Sequence, residues 1–139
     1  MSWIFQDKEF TSEDIGKWFG FVYRVTDKTD GRKYIGKKQF FNTKTLPPLK
    51  GQKKKRKKVT ESDWVDYFGS NDVIKGLVIS DGRDRFEREI LKLCRSSSEC
   101  TYYEAKMQFE YDVLLNPDYF NDYIMCRISG SHMRALLKD

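Results

Sequence analysis

At 139 residues the chain is sized for one domain with a modest core, too short for a catalytic domain joined to a separate recognition domain of ordinary size. Its 26 Lys and Arg against 21 Asp and Glu leave a net charge of +5, and the excess is local: residues 37–58 hold ten of the basic residues and no carboxylate, so the remainder is net acidic. A concentrated positive segment is the footprint of a polyanion partner, with nucleic acid the first candidate, and the absence of any apolar run near twenty residues argues against a membrane protein.

The N-terminal residues show no basic region followed by an apolar run, so the expected location is soluble and cytoplasmic. Residues 1–19 carry Trp3, Ile4, Phe5, Phe10, Trp18 and Phe19, side chains suited to cover an open sheet edge or one face of a core. Residues 20–26 and 33–41 are rich in aromatic and β-branched types, and Asp27-Lys28-Thr29-Asp30-Gly31 between them is turn chemistry. The spacing predicts an antiparallel hairpin in which Tyr23 and Tyr34, separated by ten residues, share one face unless a bulge at Asp30-Gly31 shifts the register. Two phenols so placed can orient a water or a phosphate oxygen, or simply pack across the strands.

Residues 42–60 combine Pro47, Pro48 and Gly51 with the run Lys53, Lys54, Lys55, Arg56, Lys57 and Lys58. Self-repulsion and scarce apolar residues predict a mobile loop that settles along a phosphate backbone, the alternative being a solvated or targeting-like basic run. Ser70 or Asn71 is a fitting N-cap for a short helix with Val73, Ile74, Leu77 and Val78 as its buried stripe and Asp81-Gly82 as its end. Residues 83–94 fit a helix through Phe86, Ile90 and Leu93, or a strand through Leu91 and Leu93 alternating with Lys92. A longer helix is expected over 97–115, with Tyr103, Met107, Tyr111 and Leu114 at core spacing and Asn116-Pro117 as its stop.

Glu104 has two readings. In Thr101-Tyr102-Tyr103-Glu104 it completes a capping box and would reach back to an N-cap amide. Ser96-Ser97-Ser98-Glu99 is an equally good box, and a helix starting there leaves Glu104 in its middle, free to hold Mg²⁺, which needs only one or two protein carboxylates. Cys94, Cys100 and Cys126 are odd in number and lack the close pairing of a structural zinc site, so they are read as reduced thiols and His132 is assigned no chemistry.

Taken together, Phe21-Val22-Tyr23, Tyr34-Ile35-Gly36, Glu104 and Asn121 within Tyr119-Phe120-Asn121 resemble the GIY-YIG nuclease family in order and spacing. The segment 31–38, Ser62-Asp63-Trp64 with Tyr67-Phe68-Gly69-Ser70, and Cys94 followed by Tyr103-Glu104 are similar to the compact phage-encoded branch of that family. The resemblance covers about residues 20–125 of a single domain spanning 1–139. It implies an α+β fold, a small three-stranded antiparallel sheet flanked by helices with Leu91 to Cys94 in the third strand, and a host-cytoplasmic location for a phage-encoded protein.

The implied activity is Mg²⁺-dependent (or Mn²⁺-dependent) hydrolysis of DNA phosphodiester bonds, with duplex favoured. Glu104 would bind the metal, Tyr23 would orient the attacking water or take its proton, Tyr34 would support the same network, and Asn121 would contact phosphate or steady the site. Many family members carry an arginine on the helix shortly after the second motif, where this chain reads Lys37-Lys38-Gln39-Phe40-Phe41. Lys38 is the first substitute for that cation, with Lys37, Arg56, Arg83 and Arg85 behind it. Tyr67 would fill an auxiliary position or pack, and Lys37, Lys53, Lys54, Lys55, Arg56, Lys57, Lys58 and Tyr67 form the expected DNA-binding set. One such site cuts one strand, so a double-strand break needs a homodimer or two events. A noncatalytic nucleic-acid-binding module is the rival reading, and a structure-selective or RNA-directed nuclease would use the same residues.

Overall fold

A computed structural model describes residues 2–127 and 129–138. The centre is an antiparallel sheet of β3 (Gly20–Asp27), β4 (Lys33–Gln39) and β7 (Phe86–Cys94), with β3 in the middle. The expected sheet of three strands is therefore incomplete. A hairpin of β1 (Trp3–Phe5) and β2 (Lys8–Phe10) extends it to five, in the order β2-β1-β7-β3-β4. Gln6 and Asp7 both take positive φ, the geometry a two-residue hairpin turn requires. The aromatic N-terminal segment covers the open edge of β7 by pairing with it in parallel, Ile4 opposite Glu89, which also carries Trp3 and Phe10 into the core.

Residues 83–94, ambiguous between helix and strand, resolve as a short 3₁₀ turn followed by β7. Burial alternates through Phe86, Arg88 and Ile90 and then slips, because the pairing with β3 shifts by one residue between Val22 and Tyr23. The 42–60 segment is likewise not the loop its charge suggested. β5 (Phe41–Leu46) and β6 (Arg56–Glu61) form a separate two-stranded antiparallel ribbon, and the lysines 53–55 lie between its strands. Thr43, Thr45, Val59 and Thr60 supply enough β-branched character to prevail over the repulsion.

The sheet buries both faces. One carries Trp3, Phe21, Tyr23, Phe40, Trp64 and Ile74, while the other carries Val22, Ile35, Cys94, Cys100 and Val113. On the first side α1 (Asp72–Asp81) starts at Asn71, whose Oδ1 accepts from the Val73 and Ile74 amides at 2.9 and 3.1 Å, and ends at Gly82 with φ of 89°. Ile74 is fully buried, whereas Val73, expected in the same stripe, is half exposed.

α2 (Ser97–Glu110) lies on the other face. Ser96 caps it by accepting from the Glu99 amide at 3.1 Å, so Glu104 sits in mid-helix. The helix stops at Glu110 rather than at 115, so Tyr111 and Leu114 fall beyond it and are exposed, while Tyr103 and Met107 pack against the core as expected, beside the buried Cys100, Ala105 and Gln108. The chain leaves the helix at Asp112, which takes φ of 51°, and Val113 is buried in place of Leu114. A short α3 (Gly130–Arg134) follows near the C-terminus.

Candidate active site

β4 is an edge strand, and an edge strand's outward N–H and C=O groups need partners or they recruit another chain. Here they are met one after another. The Lys33 amide donates to the Asp118 carbonyl and the Phe120 amide donates to the Lys33 carbonyl, both at 2.7 Å. Two residues along, the Asn121 side chain clamps Ile35, with Oδ1 accepting its amide at 3.1 Å and Nδ2 donating to its carbonyl at 2.9 Å. Gln108 Nε2 donates to that same carbonyl at 2.9 Å. Next, the Glu104 carboxylate accepts from the Lys37 amide. Covering the edge thus draws three polar side chains from α2 and the 118–121 segment into one line.

The phenols reach that line from the other face. Tyr23 pairs with Gly36 and Val25 with Tyr34, so the two tyrosines are diagonal neighbours on one face, their ring centroids 6.3 Å apart. Gly36 has no side chain opposite Tyr23, and the ring lies across the gap: a Cβ there would come within 2.7 Å of Tyr23 Cζ. Gly69, at φ of 103°, closes over the Tyr23 hydroxyl from above. Tyr34 Oη is 2.9 Å from Ser70 Oγ. Tyr23, Tyr34, Gly36, Lys37, Glu104 and Asn121 all line one cleft of about 490 Å³.

Burial raises the Tyr23 phenol well above its ordinary pKa, and the neighbouring Tyr67 and Tyr34 add to the effect. Burial also raises Tyr34, against the opposing hydrogen bond from Ser70. The Glu104 carboxyl is raised chiefly by burial, with Lys37 pulling the other way. Both hydroxyls are therefore neutral donors and acceptors at physiological pH, and the carboxylate gains from any cation that approaches it.

Residues 3–124 match a protein-family model described as "Putative endonuclease segE, GIY-YIG domain". The chain belongs to the GIY-YIG endonuclease family. Its substrate is accordingly a nucleic acid, and its activity falls in the nuclease class. No curated protein and no solved structure matches the chain. Among the described residues no helix is long and apolar enough to cross a membrane.

In this GIY-YIG domain the cations do not fall where the sequence ranked them. Lys38 points to the opposite side of β4 from Lys37, where its Nζ pairs with Asp63 Oδ1 at 2.6 Å and sits 4.1 Å from the Tyr67 ring centre. Lys37 lines the cleft, its Nζ donating to Thr101 Oγ1 at 2.6 Å. Arg83 pairs with Asp66, and Arg85 holds the fully buried Asp27. Arg56 is on the ribbon. Tyr67 is half-buried and stands edge-on to Tyr23 at 6.0 Å, with a hydrogen bond between them, so it braces the phenol as well as carrying Lys38.

The donor set suits a hard divalent cation. Glu104 supplies a carboxylate, and one turn later the buried Gln108 Oε1 has no hydrogen-bond partner, both residues lining the polar cleft. Mg²⁺ takes oxygen ligands and keeps several waters, so one carboxylate with an amide oxygen and substrate phosphate is a workable set. Among the described residues no group of three or more His, Cys, Asp or Glu converges.

Sequence reasoning missed Gln108 and Arg88, and it read Gly69 and Ser70 as a motif segment and a candidate helix cap without placing them against Tyr23 and Tyr34. Gln108 was findable as the residue four after Glu104 on one helix face. Arg88 gave no signal: its guanidinium is buried between Trp3 and Phe68, at 4.7 and 4.2 Å from their ring centres, and Nη1 donates to the Val65 and Tyr67 carbonyls at 2.8 and 2.9 Å. Burial brings its pKa down to about 10, which still leaves it cationic. It fixes the 65–67 segment, and through it Tyr67, beneath the cleft.

Proposed function

We propose that this GIY-YIG domain is a Mg²⁺-dependent endonuclease that hydrolyses DNA phosphodiester bonds, duplex being the preferred substrate. The observation that carries the reading is the meeting of Tyr23, Tyr34, Lys37, Glu104 and Asn121 on one cleft from four separate segments. Glu104, with Gln108 beside it, would hold the ion, which supplies Lewis-acid stabilisation of charge on the phosphate. The Lys37 ammonium takes the place of the family arginine and contacts a nonbridging oxygen as a point charge. Tyr23 stays protonated and orients the attacking water by hydrogen bonding, and Tyr34 with Ser70 holds the second hydroxyl of that network. Asn121 keeps Ile35 and the cleft floor in register, so its part is to steady the site.

Supercoiled plasmid in Mg²⁺ is the direct test. Wild type nicks it, EDTA stops nicking, and Glu104→Ala abolishes nicking while leaving DNA binding largely intact. Nicking by Glu104→Ala at the normal rate would falsify the assignment. Duplex, branched and single-stranded DNA and RNA compared in the same assay identify the substrate, and a second copy or a second event completes a double-strand break. The hydrogen bond from Lys37 to Glu104 favours one rival: a module in which Glu104 only covers the strand edge, binding nucleic acid salt-sensitively without cleavage at any protein concentration.

A further inference from the structure

The β5–β6 ribbon is exposed along almost its whole length and pairs with no strand of the main sheet. Its register sorts the side chains onto two unlike faces. One carries Asn42 opposite Thr60, Lys44 opposite Lys58, and Leu46 opposite Arg56. The other carries Phe41 opposite Glu61, Thr43 opposite Val59, and Thr45 opposite Lys57. The first face has three cations and no carboxylate, with Lys44 and Lys58 directly across from each other, a pairing that is unfavourable in isolation. Glu61 on the second face is turned to the protein body, where Ser12 Oγ and Trp64 Nε1 donate to it at 2.6 and 2.7 Å. The ribbon is thereby rooted at its base through Glu61, while the cationic face stays exposed, with Arg56 Nε donating to the Pro47 carbonyl at 3.3 Å.

We propose that β5–β6 is a duplex-DNA-binding arm whose Lys44, Arg56 and Lys58 face sits on backbone phosphates beside the cut. This rests on the nuclease reading for its substrate and adds how the substrate is held. A two-stranded ribbon matches the width of the B-DNA major groove, and closely spaced phosphates relieve the Lys44–Lys58 repulsion in a way that isolated anions do not. Chain length bounds the reach. Leu46, opposite Arg56, is ten residues from Gly36 in the cleft, at most about 35 Å of extended backbone or about ten base pairs.

Binding is measured in EDTA, so that no cleavage intervenes, by titrating a labelled duplex several helical turns long at a series of salt concentrations. For the triple variant Lys44→Ala, Arg56→Ala and Lys58→Ala, the slope of log affinity against log salt falls by about 2.7, at about 0.9 per lost phosphate contact. Thr43→Ala with Thr45→Ala, on the opposite face, leaves the slope unchanged and controls for damage to the ribbon. Hydroxyl-radical protection in wild type extends within about ten base pairs to one side of the nick and vanishes in the triple variant. An unchanged slope in the triple variant, or an equal loss on single-stranded DNA, overturns the arm. Plasmid nicking read in parallel separates the two ideas: a lost slope with no nicking by wild type keeps the arm and removes the nuclease, whereas a normal slope with normal nicking does the reverse.

Discussion

Gly36→Ala tests whether the Tyr23 phenol is held where the chemistry needs it. The added Cβ would lie 2.7 Å from Tyr23 Cζ and 3.1 Å from Tyr34 Cε1, against an ordinary contact of 3.4–4 Å. The Tyr23 hydroxyl would be closer still, so the ring must retreat by at least about 0.7 Å to restore contact. It has nowhere to go. Tyr23 is 1% exposed, with Trp3 at 5.4 Å and both Phe21 and Tyr67 at 6.0 Å between ring centres. Overpacking of this kind costs about 1–3 kcal/mol, offset by about 0.5–1 kcal/mol because alanine loses less chain entropy than glycine in a strand. A net loss of about 0.5–2 kcal/mol is expected, read as a lower urea midpoint at unchanged m-value. Displacing the hydroxyl by a sizeable fraction of an ångström should slow single-turnover nicking by about tenfold or more. Gly31→Ala is the control, since that residue has φ of 80° and open space around it: stability falls through the backbone while nicking persists. A Gly36→Ala protein equal to wild type in both urea midpoint and nicking rate would refute the reasoning.

Asn121→Asp keeps the acceptor for the Ile35 amide and turns a charged oxygen toward the Ile35 carbonyl where a donor stood, so it should destabilise by about 1–3 kcal/mol, and Asn121→Ala should cost more because it orphans the Ile35 amide and leaves the carbonyl with Gln108 alone; equal midpoints by urea melting would contradict the clamp. Lys37→Met should reduce plasmid nicking at least tenfold while Lys38→Met shifts stability by under about 1 kcal/mol, since its partner Asp63 is largely exposed. Reversed effects would return the cationic role to Lys38. Acid should act through Asp27. Burial pushes its carboxyl up, but the Arg85 guanidinium and the Thr29 amide together hold it below its ordinary value. Its contribution is complete above the unfolded carboxyl pKa of about 3.9 and drains away as pH falls through the lower folded value. Asp27→Asn should flatten that acid limb in thermal melts taken across pH, and an unaltered limb would show the acid sensitivity to lie elsewhere.

What was legible in the chain was what short-range rules govern. The hairpin placing Tyr23 and Tyr34 on one face follows from period-two geometry and turn residues, and the Asn71 and Ser96 caps follow from local hydrogen bonding. The β1–β2 addition to the sheet was only half visible: the aromatic segment announced a cover, while its parallel pairing with β7 is a tertiary contact across more than eighty residues. The early stop of α2 was hidden as well. Tyr111 and Leu114 obey helical spacing, but the chain turns at Asp112 before the Asn116-Pro117 stop, and within the helix a polar residue, Gln108, takes a buried place because the Ile35 carbonyl accepts from it. Charge misled at 42–60, where composition indicated a loop and cross-strand pairing made a ribbon. Lys37 and Lys38 are adjacent in sequence, and only the pleat decides which of them meets the cleft.

The outer rim of β4 carries one consequence that bears on how inactive forms behave. The side chains that would bind the ion and steady the floor are the same ones that keep that rim from zipping onto a neighbouring molecule. A knockout at Glu104 or Asn121, the proposed ion ligand and floor brace, would therefore also uncap a docking template, and such mutants should show greater self-association on sizing columns than their loss of folding energy explains.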